Sequence, residues 1–263
     1  MALFRDRRHA GRLLAQSLGG YKDRDETIVI GLPRGGVPTA YEVAQSLHAP
    51  LDIFVVRKLG APGHEELAMG AIAMGGVTFI NSEVTSSLGI SELDLAHSIA
   101  LEGRELLRRV NAYRGTKPPL NVKGKYIVLV DDGLATGSTM LAAIKALRVL
   151  EPKGIVAAVP VAPPSTCARV RAAADEMVCL NYPESFDAVG MYYDDFSQTT
   201  DDEVRQLLAE NASRLLRSAG WAPTVAPGPS GVTHDPSQRE SPSLRPSARL
   251  AARRTDRAAR RGA

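Results

Sequence analysis

The 263-residue chain is 44% hydrophobic with a mean hydropathy of −0.10, the composition of a soluble globular protein able to bury one good core. No apolar run approaches a membrane span and the N-terminus MALFRDRRHA lacks an apolar leader, so a membrane or secreted protein is not expected and a cytoplasmic location is. The net charge of +3 is unevenly divided: beyond Ala222 eight arginines stand against Asp235, Glu240 and Asp256, a net +5 that leaves −2 on the rest.

Residues 4–19 predict an amphipathic helix with Leu13, Leu14 and Leu18 toward a core and the arginines in water, His9 among the solvated residues. Thr27–Leu32 (TIVIGL) reads as the first strand. It runs into Pro33-Arg34-Gly35-Gly36 and then helix-forming sequence over Val37–Leu47. Such a turn would offer backbone N–H groups and a guanidinium to an anion, although P-R-G-G is also an ordinary turn. Leu51–Val56 (LDIFVV) reads as the second strand, followed by Arg57, Lys58 and a Gly/Pro-rich stretch, which suggests an anion site with a mobile cover. His64-Glu65-Glu66 is not a zinc-protease motif, because residue 68 is Ala where H-E-x-x-H needs its second histidine.

Val77–Asn81 predicts a short strand. Ser91 caps a long helix reaching about Tyr113, with Asp94 at the box position and Glu105–Arg109 paired on its wet face. Lys117-Pro118-Pro119 ends it.

The strongest signal follows. Ile127–Val130 is a four-residue apolar run suited to a strand buried on both faces, and Asp131 and Asp132 stand where it would emerge. A loop of glycine, threonine and serine leads into Met140–Leu150, which repeats apolar residues at Leu141, Ile144, Leu147 and Leu150. A helix N-terminus binds phosphate through unpaired N–H groups and its dipole. Gly137 would let the backbone approach the anion, with Thr136, Ser138 and Thr139 adding hydroxyl donors. The two carboxylates would repel that phosphate but would accept hydrogen bonds from sugar hydroxyls one step away. The loop is not a Walker A, since it has no lysine at the required spacing.

Gly154–Val161 is a further buried strand, Pro164–Ala174 a helix and Glu176–Leu180 the last strand. The alternation predicts an α/β fold, a doubly wound, mainly parallel sheet whose anion sites after residues 32, 56 and 130 share one edge. Residues 181–200 are dense in aromatics, and Phe186, Val189 and Tyr192 would either stack on a planar ligand or form an aromatic core that closes the fold. Thr200 caps a final helix to about Ala219. The Pro/Ser/Arg-rich tail 222–263 is expected to be disordered, either a solvated extension or a contact for nucleic acid. Cys167 and Cys179 have no metal-ligand spacing and are read as reduced thiols.

The string VLVDDGLATGST (residues 128–139) closely resembles the phosphoribosyl pyrophosphate (PRPP) motif of type I phosphoribosyltransferases. That resemblance implies one such domain over residues 1–221, with a flexible lid and a small hood at about 181–200. It implies that Asp131 and Asp132 contact the ribose hydroxyls and that Ala135, Thr136, Gly137, Ser138 and Thr139 cradle the 5-phosphate. Arg34, Gly35 and Gly36 look like the family's pyrophosphate loop, which often holds a cis peptide, here Pro33–Arg34. Arg57-Lys58-Leu59-Gly60 resembles the R-K-x-G string of adenine phosphoribosyltransferases, implying that Lys58 reaches pyrophosphate and that residues 60–76 form the lid. Val189-Gly190 followed by Asp194 is similar to the V-G-x-x-x-D string of the purine enzymes, but their usual lysine is absent from 154–162.

The resemblance further implies Mg²⁺ carried mostly by the substrate, with Asp131, Asp132 and Asp194 as its protein contacts, and a homodimer. The implied reaction transfers phosphoribosyl from PRPP to a small-molecule nitrogen acceptor, a nucleobase in salvage. The rival readings are a PRPP- or nucleotide-sensing regulator on the same fold, its tail on nucleic acid, and a Mg²⁺-dependent phosphotransfer protein using the aspartate pair.

Overall fold

The computed structural model describes residues 2–218; the predicted disordered tail lies outside the described residues. Five parallel strands make the central sheet: β1 (Thr27–Gly31), β2 (Leu51–Ile53), β6 (Tyr126–Val130), β7 (Gly154–Val161) and β8 (Glu176–Asn181), in the order β2-β1-β6-β7-β8. The continuous apolar runs seen in sequence are buried on both faces, as parallel sheets require.

Strand periodicity divides the core in two. Val29, Val128, Val130, Val156 and Ala158 face one side, packing with Leu14 of α1 (Arg7–Gln16), Val37 and Ala44 of α2 (Gly36–Leu47), and Leu207 of α7 (Asp201–Ser218). Their neighbours Ile28, Ile30, Ile127, Leu129 and Ile155 face the other, against Met140, Ile144 and Leu147 of α5 (Ser138–Val149) and Cys167 and Val170 of α6 (Pro164–Arg171). Helices thus cover both faces, the predicted doubly wound arrangement.

Three local expectations change. The run Leu51–Val56 is not one strand: β2 stops at Ile53, and Phe54 and Val55 are buried while the chain crosses to a second sheet. Their hydrophobicity serves that crossing. Residues 60–76, expected as a mobile cover, carry regular structure. They belong largely to β3 (Val56–Ala61) and β4 (His64–Ala73), which with β5 (Val77–Ile80) form an antiparallel sheet in which Lys58 pairs with Ala71 and Ala71 with Phe79. A short helix, α3 (Ser82–Ser87), also appears, capped by Asn81, whose side chain accepts from the Glu83 and Val84 N–H groups.

The helix from Ser91 forms as expected, α4 (Glu92–Arg114), with the Ser91 cap accepting from Asp94 N–H and Arg109 Nε at 2.7 Å from Glu105. Its last residue turns inward. Arg114 is buried and donates to both carboxylate oxygens of Asp52 on β2, at 2.9 and 3.0 Å. Among the described residues no helix is long and apolar enough to cross a membrane.

Candidate active site

Parallel register builds the site. Gly31, the last residue of β1, is the partner of Val130, the last of β6, so the loops after both strands leave the sheet side by side. Leu32 N–H donates to Val130 O at 2.9 Å, holding the two exits together. The Pro33–Arg34 peptide is cis. Gly35 caps α2, and a β-carbon there would stand 2.1 Å from Oδ2 of Asp132; only glycine lets this loop lie against the carboxylate.

The Asp132 N–H donates to Oδ1 of Asp131 at 2.9 Å, which packs the two carboxylates together. Burial, reinforced by the Asp132 charge, pushes the Asp131 carboxyl well above the usual carboxylate range. Burial raises Asp132 as well, against the downward pull of its ion pair with Arg7. Two adjacent carboxylates of this kind are poised to accept hydrogen bonds from neutral hydroxyls or to face a cation.

The loop from Gly133 leads to Gly137, which takes the left-handed conformation (φ 69°) and serves as an N-cap of α5 without a side-chain hydrogen bond. Thr136, Ser138 and Thr139 surround it, with Thr136 Oγ1 3.0 Å from Ser138 Oγ. Two carbonyls of the loop are tied back to α6: Thr166 Oγ1 donates to Ala135 O at 2.7 Å and Arg169 Nη2 to Thr136 O at 2.6 Å. The acceptors are thereby engaged elsewhere; at the helix start Ser138 N–H makes one long bond to Thr136 Oγ1 at 3.4 Å, which an anion could replace.

The remaining candidates are less concentrated. Arg34 reaches Asp201 of α7 at 3.7 Å. Lys58 sits in β3, on the antiparallel sheet and not in the turn directly after a central strand. It lines a cavity of about 620 Å³ with Arg57, Asp94, His97 and Glu102, where Arg57 pairs with Glu102 at 2.6 Å. The reason is the break after Ile53, which redirects the chain before the cations are reached.

In the hood, Val189 packs against the motif, its Cγ1 2.5 Å from where a β-carbon on Gly133 would be. Phe186 and Tyr192 stack on each other with centroids 5.3 Å apart, and the Tyr192 hydroxyl donates to Ser185 O. Phe4, Tyr193 and Val161 form a buried cluster with Phe196 against it, which realises the closing aromatic core. Asp194 is exposed and its N–H donates to Phe4 O. Among the described residues no three of His, Cys, Asp and Glu gather as a metal site.

Sequence reasoning placed all the α1 arginines in water. Arg7 is instead 11% exposed in its side chain, and its Nε donates to Oδ2 of Asp132 at 2.7 Å. No spacing rule announces an arginine that acts 125 residues away. The His9 ring nitrogen accepts from Arg5 N–H.

A parallel sheet with paired acids and a phosphate-type loop at the strand ends defines a nucleotide- or sugar-phosphate-binding class. The family model described as a phosphoribosyl transferase domain matches residues 5–195, and the chain belongs to that family. It is 44% identical over 232 residues to the Mycobacterium tuberculosis protein named "Putative phosphoribosyl transferase Rv0571c", a match covering 87% of this chain and 51% of that one. The chain therefore spans about half the length of this curated relative. It is 43% identical to TT1426 from Thermus thermophilus, whose crystal structure superposes with a TM-score of 0.71 over 79% of this chain and 98% of that one.

Proposed function

We propose that the chain transfers the 5-phosphoribosyl group of PRPP to a ring nitrogen of a nucleobase and releases pyrophosphate. The observation that carries this reading is the placement of Asp131 and Asp132 between the Pro33–Gly36 loop and the start of α5. A 5-phosphate would sit on the 135–139 loop, the ribose hydroxyls on the carboxylate pair, and the pyrophosphate along the loop containing Arg34, Gly35 and Gly36, with Lys58 approaching from the antiparallel sheet.

In the reaction the bond from the anomeric carbon to pyrophosphate oxygen breaks, the bond to nitrogen forms, and the acceptor nitrogen gives up its proton to water. Positive charge develops on the ribose ring as the leaving group departs. Asp131 and Asp132 would stabilise that charge and hold the hydroxyls, while Arg34 takes up charge on the pyrophosphate. The donor set suits Mg²⁺ carried mainly by substrate, since Asp131 and Asp132 lie side by side and such an ion is commonly held by one or two carboxylates plus phosphate oxygens. Bound there beside Asp131 and Asp132, it would supply charge neutralisation to the pyrophosphate. A planar acceptor would lie at the hood beside Val189, which packs on Gly133, and the Phe186–Tyr192 pair, whose rings stack on each other and pack against the Phe4–Tyr193 core.

The test is pyrophosphate release from PRPP and Mg²⁺ against a panel of free purines and pyrimidines. Release with one base, lost in Asp131→Asn/Asp132→Asn, is the expected result and names the acceptor. PRPP binding without release by any base would transfer the assignment to a sensor. A chain that neither binds nor turns over PRPP would overturn the reading.

A further inference from the structure

Arg7 is the first residue of α1, directly after the Asp6 cap. A cation in the first helical turn opposes the helix dipole, so the helix itself does not favour it there. Its guanidinium is nevertheless engaged on three sides: Nε on Oδ2 of Asp132 at 2.7 Å, Nη1 on Ser197 O at 2.6 Å, and its plane 3.8 Å above the Phe196 ring. Its own carbonyl accepts from Thr39 Oγ1 of α2 at 3.3 Å. The site of Gly35 adjoins this pair, a β-carbon there lying 3.4 Å from Arg7 Nε.

A purely structural role would be to fasten the N-terminal segment to the hood. That fastening already exists. Leu3 and Phe4 N–H donate to Tyr192 O, Asp194 N–H to Phe4 O and Asp195 N–H to Arg5 O, with Phe4 against Tyr193. What Arg7 adds is the connection from this assembly to the second acid of the motif. The Tyr193 hydroxyl, donating to the Asp132 carbonyl, holds the same residue from its backbone.

Resting on the phosphoribosyl reading, we propose that Arg7 is a positioning residue for substrate sugar. It commits one oxygen of Asp132 and so leaves Oδ1 to accept from a ribose hydroxyl, with the carboxylate held in place by α1 and the hood. A lysine would retain the charge but could not span Asp132 and Ser197 while stacking on Phe196.

The experiment uses the full chain and three probes by calorimetry: PRPP with Mg²⁺, ribose 5-phosphate and inorganic phosphate. Arg7→Met should weaken PRPP and ribose 5-phosphate about 10- to 100-fold, the loss expected of one buried charge-assisted hydrogen bond, and leave inorganic phosphate unchanged. Arg7→Lys should fall between Met and wild type, and it decides the matter if the Met variant melts early. Asp132→Asn should show the same sugar-dependent loss, and adding Arg7→Met to it should bring no further loss. Wild-type sugar affinity in both Arg7 variants, equal weakening of all three probes, or losses that multiply in the double variant would each overturn the proposal. A wild-type chain that binds no PRPP would overturn the functional reading with it, whereas binding by wild type and unchanged binding by the variants would overturn the role of Arg7 alone.

Discussion

Gly35 and Asp132 stand so close that a single methyl group cannot be placed between them: a β-carbon on the glycine would lie 2.1 Å from Oδ2 and 2.9 Å from Cγ of the aspartate. The loop after β1 and the acid after β6 therefore form one surface. Gly35→Ala should push the carboxylate aside, lower PRPP affinity by at least about tenfold and destabilise the fold by about 1–3 kcal/mol, as overpacking does. Calorimetric titration and chemical denaturation measure both, and wild-type affinity in this variant would contradict the contact.

Asp131 yields a stability prediction with a definite sign. Its carboxyl is held well above the usual range by burial, with the Asp132 charge adding to it. Below the unfolded carboxylate's pKa of about 3.9 both states are protonated and there is no penalty. As the pH rises further the unfolded chain ionises first, and the native state loses stability until Asp131 ionises there too. Asp131→Asn should therefore melt a few degrees higher than wild type at pH 7 and together with it near pH 3, while losing PRPP binding. Melting curves across that range check it; a variant less stable at neutral pH would refute the burial argument.

At the phosphate loop, Ser138 and Thr136 present hydroxyls beside a helix start that has no side-chain cap. Ser138→Ala should weaken PRPP about 3- to 10-fold, the net value of one hydrogen bond, and leave the melting temperature nearly unchanged because its hydroxyl partner, Thr136, is exposed and can turn to water. Binding isotherms for PRPP and inorganic phosphate should shift by the same factor, since both place a phosphate there.

Away from the site, Arg114 and Asp52 form a buried bidentate pair joining α4 to the sheet. Arg114→Met leaves the carboxylate without its partner and should destabilise by about 3–5 kcal/mol. Urea denaturation measures this. PRPP affinity at temperatures where the variant is folded should remain that of wild type.

Legibility in sequence followed the range of the interaction. The strand Ile127–Val130, the acids after it and the Gly137 turn were readable because an apolar run, a charge break and a glycine are neighbours in the chain. The Ser91 cap and the Glu105–Arg109 pair were readable for the same reason. Leu51–Val56 misled because hydrophobicity reports burial and not pairing: Phe54 is fully buried while crossing between sheets. That misreading put Lys58 directly after a strand of the central sheet, whereas it lies within β3 of the antiparallel sheet. The hood aromatics were left between ligand and core, and packing places Tyr193 in the core while Phe186 and Tyr192 stack on each other.

By itself the sequence determined the doubly wound α/β architecture, most strand positions, the two loops at one sheet edge and the family to which they point. Each of these rests on periodicity or on residues close to one another in the chain, where local geometry decides the outcome. Only the tertiary structure decided that the cover is an antiparallel sheet and that Arg7 reaches Asp132. Those depend on which surfaces meet after the chain collapses. An arginine in a first helical turn looks solvated until the sheet edge it will neutralise has been built beside it.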